Sequence, residues 1–409
     1  MPHDAPDGPA PVVITTRCCI TGGGPAGMMA GVLLARAGVD VVVLEKHADF
    51  LRDFRGDTVH PSTLQLMDEL GWLDGFLARP HQELRRLGGQ IGDEHVMIAD
   101  FTHLPVKCPF IVLMPQWDFL DFLAEHGRRY PGFTLKMRAE VVGLIQENGR
   151  VTGVRARTPD GPLEVRAALV IGADGRSSTV RAQAGLEVET LGAPMDVLWM
   201  RLSRAPTDPK EALGYIRNGH MLVMIDRGDY WQCGFVIPKG AYEDLRREGL
   251  DSLRQTIADV VPFTADRVGE LKTWDDISLL TVKVDRLREW ARDGLLCIGD
   301  AAHAMSPVGG VGINLAIQDA VAASNILASP LRAGRVDLEQ LRSVQRRRSF
   351  PTRATQRIQV LIQNRVVGRA LRSGSPMELP LVARLLRDHP VLRRLPARMV
   401  GLGFRPEHI

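Results

Sequence analysis

Six residues, Gly22-Gly23-Gly24-Pro25-Ala26-Gly27, separate an apolar run ending at Arg17–Thr21 from a segment rich in Ala, Gly and Met that continues to Arg36. A second apolar run, Val39–Leu44, follows almost at once and closes on Glu45. Strand, glycine turn, helix and strand in this order form a βαβ unit, which commits the chain to a parallel sheet. Small residues at Ala26, Ala30 and Gly31 let the helix lie close to that sheet.

The turn supplies G-x-G-x-x-G, whose glycines allow a tight turn, close backbone approach to a pyrophosphate and close helix–strand packing. Glu45 stands 18 residues after Gly27. A carboxylate there accepts from a ribose hydroxyl, which favours FAD or NAD over NADP. Two further acidic turns follow apolar runs. Asp174-Gly175-Arg176 follows Leu169–Gly172, and Ser177 or Ser178 is placed to cap a short helix. Gly299-Asp300 follows Leu295–Ile298 and opens a loop with Pro307, Gly310, Val311, Gly312 and Asn314 before a helical segment. Such a loop presents backbone N–H groups and a helix N-terminus to an anionic or carbonyl-rich ligand. Arg55, in a loop after the second strand, has the chemistry to neutralise a pyrophosphate, although a plain surface arginine is the simpler reading.

Composition narrows the class. With 45% hydrophobic and 24% charged residues, the 409-residue chain is an ordinary globular protein with room for two lobes. The formal charge of +3 is uneven: residues 331–409 carry 17 Arg, no Lys and 5 acids. That region could hold an anionic cofactor, touch a membrane surface or solvate exposed helices. Five scattered cysteines give neither a disulfide framework nor metal-ligand spacing, so no metal is expected and a reducing cytoplasm is. Residues 1–16 read as a disordered leader without signal-peptide character, and no stretch approaches a spanning helix of about 20 apolar residues.

Along the chain, helices are expected from His60 to Leu70 and from Gln116 to Arg129, and a hairpin at Val141–Arg157 turning on Asn148-Gly149. Val197–Leu202, His220–Ile225 and Trp231–Ile237 suggest an antiparallel sheet, with a helical stretch near 241–258 and mostly helix from 314 onward. Parallel-sheet signals therefore lie before, between and after antiparallel insertions.

Taken together, the glycine turn at 22–27, the Asp-Gly turn at 174–175 and the Gly-Asp turn at 299–300 resemble the three fingerprints of the FAD-dependent aromatic hydroxylases, the single-component flavin monooxygenases typified by para-hydroxybenzoate hydroxylase. The resemblance covers most of residues 17–326. It implies that Gly22, Gly24, Pro25, Ala26 and Gly27 line the FAD pyrophosphate and that Glu45, with Lys46 beside it, binds the adenosine ribose. It further implies flavin contacts from Arg55 and Gln116, a role for Asp174 with both FAD and NAD(P)H, and Asp300 on the ribityl chain. Pro307, Gly310, Val311, Gly312 and Asn314 would lie along the isoalloxazine, with His303 structural and no catalytic residue assigned. The implied reaction uses NAD(P)H and O2, and hydroxylates an aromatic or polycyclic molecule through a flavin C4a-hydroperoxide.

The fold expected is α/β: a discontinuous Rossmann-like FAD-binding domain at 17–80, 112–190 and 285–345, an inserted antiparallel substrate domain at 81–111 and 191–284, and a helical region at 346–409. Met195, Met200, Met221, Met224, Trp199, Tyr230 and Trp231 are available either to a substrate or, more simply, to the core. His60, His103 and His220 are candidates to assist substrate deprotonation. Flavin halogenases carry Trp-x-Trp-x-Ile-Pro where this chain has Cys233 and Phe235 before Val236-Ile237-Pro238. Epoxidases and prenyl or lipid reductases of the same superfamily, or a flavin-retaining protein that sequesters an intermediate, remain alternatives. No nucleic-acid partner is implied, and monomer and homodimer both stay open.

Overall fold

The computed structural model describes residues 10–51, 58–209, 213–368 and 379–409. Five strands of an eight-stranded sheet run parallel, in the spatial order Leu295–Cys297, Gly161–Gly172, Val12–Thr21, Val41–Leu44 and, at the edge, Phe133–Lys136. Val12–Thr21 opens inside the segment expected as a leader. Its exposed first residues pair in register with Leu163–Ala167, and its last four are fully buried. Gly161–Gly172 is much longer than its apolar end suggests, because its first half alternates in burial and pairs with the hairpin Glu140–Glu147 and Arg150–Thr158. Asn148 and Gly149, at φ 51° and 82°, supply the left-handed pair that the two-residue turn requires.

Helix Pro25–Arg36 starts with proline in its first turn and buries ten of its residues. A Cβ at Gly31 would stand 2.8 Å from Val43 Cγ2, so the small face sets how closely this helix seats on the sheet. Helix Gly312–Arg332 packs against it and against helix Leu338–Ile362. The segment Val308–Arg332 is long and apolar enough to cross a membrane, contrary to the sequence expectation, but 67% of its apolar window is buried as a core helix. Helix Leu338–Ile362 begins with a reciprocal capping box between Asp337 and Gln340.

A second sheet of seven strands runs in the order Ser278–Leu280, Met195–Ser203, Tyr230–Pro238, His220–Asp226, Leu213–Arg217, Arg86–Ile91 and Glu94–Asp100. It is antiparallel except where Leu213–Ile216 pairs with Gly88–Ile91. Side chains alternate between its faces. Met200, Met224, Trp231 and Phe235 form one core with helix Leu250–Val260, whereas Met195, Met221 and Val236 on the opposite face meet Val308 of the glycine-rich loop. The helical stretch near 241–258 is two helices, Tyr242–Glu248 and Leu250–Val260, divided by Gly249 at φ 96°.

Candidate functional site

Neighbouring strands bring the motif residues to one edge. Thr21 is in register with both Leu44 and Gly172, and Gly172 with Cys297. Gly22, Glu45, Asp174 and Asp300 therefore all leave the carboxyl ends of adjacent parallel strands, the position at which open α/β sheets bind ligands. Direct contacts lock the turns together. At Gly22, φ is 97° and a Cβ would lie 2.4 Å from Ala173 O and 2.8 Å from Asp174 Cα. A Cβ at Gly299 would lie 3.0 Å from Ala26 Cβ and 3.2 Å from Ala316 Cβ. Arg176 Nε donates to Asp300 Oδ2 at 3.0 Å. The three turns, far apart in the chain, form one assembly.

Within the glycine turn the residues divide by cause. Gly27 is required internally, since its Cβ would strike Gly22 O at 2.0 Å. Among the described residues a Cβ at Gly24 would meet nothing within 4 Å, so their packing does not demand glycine there. It caps helix Pro25–Arg36, whose first-turn amides at Ala26 and Gly27 have no acceptor within the helix. Glu45 closes the turn from below: Oε2 accepts from Gly23 N at 2.9 Å, and Oε1 from His47 N at 3.0 Å and His47 Nδ1 at 2.5 Å. Burial alone would raise its pKa, but the Gly23 amide and the His47 contacts outweigh burial and hold it below the ordinary value.

Asp174 is the opposite case. Burial pushes its pKa up despite N–H donors from the following turn. Oδ2 accepts from Val180 N at 3.2 Å, whereas Oδ1 is buried without a partner among the described residues.

The glycine-rich loop is held by side-chain bonds. Asn314 Oδ1 accepts from His60 N and Thr63 Oγ1, both at 2.8 Å, and Nδ2 donates to Thr58 O at 3.1 Å. Thr58 Oγ1 donates to Gly310 O at 2.9 Å. Asn314 thus spends its side chain on the fold, and its helix N-terminal amide, with those of Gly312 and Ile313, is what it can offer a ligand. Gly309 and Gly310, at φ 79° and 62°, turn the loop.

The family model described as an FAD binding domain matches residues 15–358. The chain belongs to the FAD-dependent aromatic hydroxylases. It is an FAD-dependent monooxygenase. It is similar to a 6-methylpretetramide 4-monooxygenase of Streptomyces rimosus, 36% identical over 93% of this chain and 92% of that protein. A 12-dehydrotetracycline 5-monooxygenase/anhydrotetracycline 6-monooxygenase of Streptomyces rimosus subsp. rimosus is 30% identical over 74% of this chain, which spans only 60% of that longer relative. The p-nitrophenol 4-monooxygenase PnpA of Pseudomonas putida shares the fold, with a TM-score of 0.77 at 20% identity over 94% of this chain and 97% of that one.

The residues present fit the FAD that this family implies. Gly24 leaves open space where a phosphate would approach, and Asp174 Oδ1 is a buried acceptor awaiting a donor. Gln116 begins helix Gln116–Gly127, which packs on Pro25–Arg36, and its side chain has no hydrogen-bond partner among the described residues. Lys46 is exposed beside Glu45. Arg55 lies outside the described residues.

His303 is fixed elsewhere. It is 1% exposed, its ring lies 4.9 Å from that of Trp290, and Nε2 bonds Asp319 Oδ2 at 2.5 Å. Asp319 also accepts from Gly299 N at 3.1 Å and Arg348 Nε at 2.9 Å, and Arg348 reaches Glu407 Oε1 at 3.4 Å. Burial opposes the charge on Asp319, but His303 and Arg348 together keep its pKa low. Of the other histidines, His103 is exposed, and half-buried His220 stacks on Phe235, with burial lowering its pKa. His60 is fully buried. Sequence reasoning placed Arg176 in its motif without a role and left Arg348 unmarked; both are ordinary arginines until the partners they reach are known.

Proposed function

We propose that this enzyme hydroxylates a polycyclic aromatic substrate of the tetracycline-precursor class. The observation that carries the reading is the 36% identity to 6-methylpretetramide 4-monooxygenase across nearly the whole of both chains. One oxygen atom of O2 enters a ring carbon, NAD(P)H supplies the electron pair, and the second oxygen leaves as water. Bound FAD supplies the oxygen-activating chemistry, and the protein supplies position, electrostatics and exclusion of water.

Gly22, Gly24, Pro25, Ala26 and Gly27 would follow the pyrophosphate, with the free first-turn amides facing its charge. Glu45 and Lys46 would address the adenosine ribose, Asp300 the ribityl hydroxyls, and Gln116 a flavin edge. Asp174 Oδ1, unpartnered among the described residues, is suited to accept from a hydroxyl. Pro307, Gly310, Val311 and Gly312 would border the ring system, with backbone amides of Gly312 and Asn314 directed at its carbonyl edge. Arg55 is assigned to the flavin by the family resemblance alone.

The substrate would lie between this loop and the seven-stranded sheet, in the domain formed by 81–111 and 191–284. Met195, Met221 and Val236 occupy the sheet face that meets Val308. Trp199 shares that face and lies across Gly234, where a Cβ would come within 3.1 Å of its ring. Five buried, free cysteines suit a reducing cytoplasm.

Purified protein should be yellow and should oxidise NAD(P)H faster when a tetracyclic phenol is added. Mass spectrometry should find a product heavier by one oxygen. A flavin-loaded protein that binds such phenols without accelerated NAD(P)H oxidation would instead be a sequestering protein, and the reading would fail.

A further inference from the structure

The arginine-rich C-terminal region carries a surface that the reaction does not use. Helices Leu381–Asp388 and Arg394–Gly401, joined by the turn Pro390–Arg393, pack along the edge strand Glu94–Asp100 of the second sheet. On the first helix, Leu381, Leu385, Val382, Leu386 and Ala383 span an arc of roughly 200° at 100° per residue. Arg384, Arg387 and Asp388 fill the remainder. The protein covers only the Leu386–Ala383 side of the apolar arc. Leu381 and Val382 remain 72% and 67% exposed, and Val391 and Leu395 of the adjoining turn and helix 68% and 65%. Six exposed large aliphatic side chains, Leu381, Val382, Leu385, Val391, Leu392 and Leu395, fall within fifteen residues, and clustering of this kind marks an interaction surface.

Its border is cationic. Arg384, Arg387, Arg394 and Arg398 are exposed around the patch. Asp388 is the one acid between 379 and 403, and Arg387 Nε lies 2.9 Å from its Oδ1. Arg394 and Arg398 make no ion pair among the described residues. A second copy of the chain docking face to face would set Arg394 and Arg398 against the same arginines, since the two acids at this face, Asp388 and Glu94, already pair with Arg387. A protein partner is also poorly matched. Residues 379–403 contain no Phe, Tyr or Trp, the large side chains that anchor protein interfaces. Aliphatic side chains ringed by arginines, whose stems can lie along apolar surface while the heads stay wet, are the pattern of a helix resting in a lipid interface.

We propose that this face docks the enzyme on an anionic lipid surface, with Leu381, Val382, Val391 and Leu395 entering the headgroup–acyl boundary and Arg394 and Arg398 pairing with lipid phosphates. The docked helix is also a neighbour of the flavin loop: Val400 O accepts from His60 Nδ1 at 2.7 Å, and a Cβ on Gly309 would lie 3.9 Å from Val400 Cγ2.

The test is co-sedimentation of the full-length, FAD-loaded protein with phosphatidylcholine vesicles, with and without roughly one-third phosphatidylglycerol, at low and high salt. The wild type should sediment with phosphatidylglycerol vesicles at low salt and not with phosphatidylcholine alone. Leu381→Asp with Leu395→Asp, and separately Arg394→Gln with Arg398→Gln, should each lower partitioning at least about tenfold. These side chains are exposed, so unfolding temperature and NAD(P)H oxidation in solution should not change, which keeps this test separate from that of the reaction. Equal binding to both vesicle types, or none, overturns the proposal. So does vesicle binding that survives the leucine substitutions. A wild-type dimer that these substitutions split, or an acidic protein that binds this face while vesicles do not, would assign the surface to that partner instead.

Discussion

Arg176 Nε and Asp300 Oδ2 stand 3.0 Å apart, joining the Asp-Gly turn to the Gly-Asp turn across 124 residues of sequence. Both side chains are about one-third exposed, so the pair itself adds little to stability, on the order of 0.2–1 kcal/mol. Its value lies in fixing the carboxylate assigned to the ribityl chain. Asp300→Ala should weaken FAD retention at least tenfold, and Arg176→Ala should weaken it less while leaving the unfolding temperature within a few degrees. Equilibrium dialysis of flavin against both single variants and the double variant checks this. An Asp300→Ala protein with wild-type FAD affinity refutes the assignment.

Gly22 and Gly24 should fail differently. A methyl at Gly22 collides with Ala173 and requires a left-handed φ of 97°, so Gly22→Ala should destabilise the fold by about 2–4 kcal/mol. Gly24 has an extended backbone and open space, so Gly24→Ala should unfold like the wild type yet hold FAD poorly. Thermal unfolding of the apo-proteins, set beside flavin content, separates the two outcomes.

His60 makes stability depend on pH. Burial lowers its pKa from 6.5 to about 4, opposed only by the bond to Val400 O. The unfolded chain therefore binds more protons between these values, and the stabilisation present above pH 6.5 is lost as pH falls toward 4. The full difference corresponds to about 3 kcal/mol. His60→Asn should flatten the pH dependence of the unfolding free energy in this window. A variant as acid-sensitive as the wild type would show that other groups dominate.

Arg348→Met should be costly. Arg348 is 1% exposed and bonds Asp319, itself fully buried. Removing one side of a buried pair typically costs about 3–5 kcal/mol. Because Asp319 also receives Gly299 N, the substitution should loosen the loop and reduce flavin content, which absorbance at constant protein concentration would report.

How far the sequence could be read depended on the range of each cause. The turn at Gly22–Gly27 and the acid at Glu45 were legible because steric and chemical demands act within one βαβ unit. Helix Pro25–Arg36 began where its proline placed it. The methionines were legible only as alternating residues. Alternation tells that Met221 and Met224 lie on opposite faces, but not that helix Leu250–Val260 covers Met224 while Val308 meets Met221. For Asn314 the family resemblance implied a place beside the flavin and nothing about what its side chain holds. Its partners Thr58, His60 and Thr63 lie about 250 residues earlier, and no local pattern announces that choice. The leader was overextended because Val12–Thr16 gains its strand partner only from Leu163–Ala167.

The chain of buried contacts from Gly299 through Asp319 and Arg348 to Glu407 has a bearing on biosynthesis. The glycine turn leaves the ribosome early, but the loop opposite it gains its last charge partner only when residue 407 has emerged. Flavin capture during translation should therefore be a late event, following the emergence of residue 407 rather than that of the glycine turn.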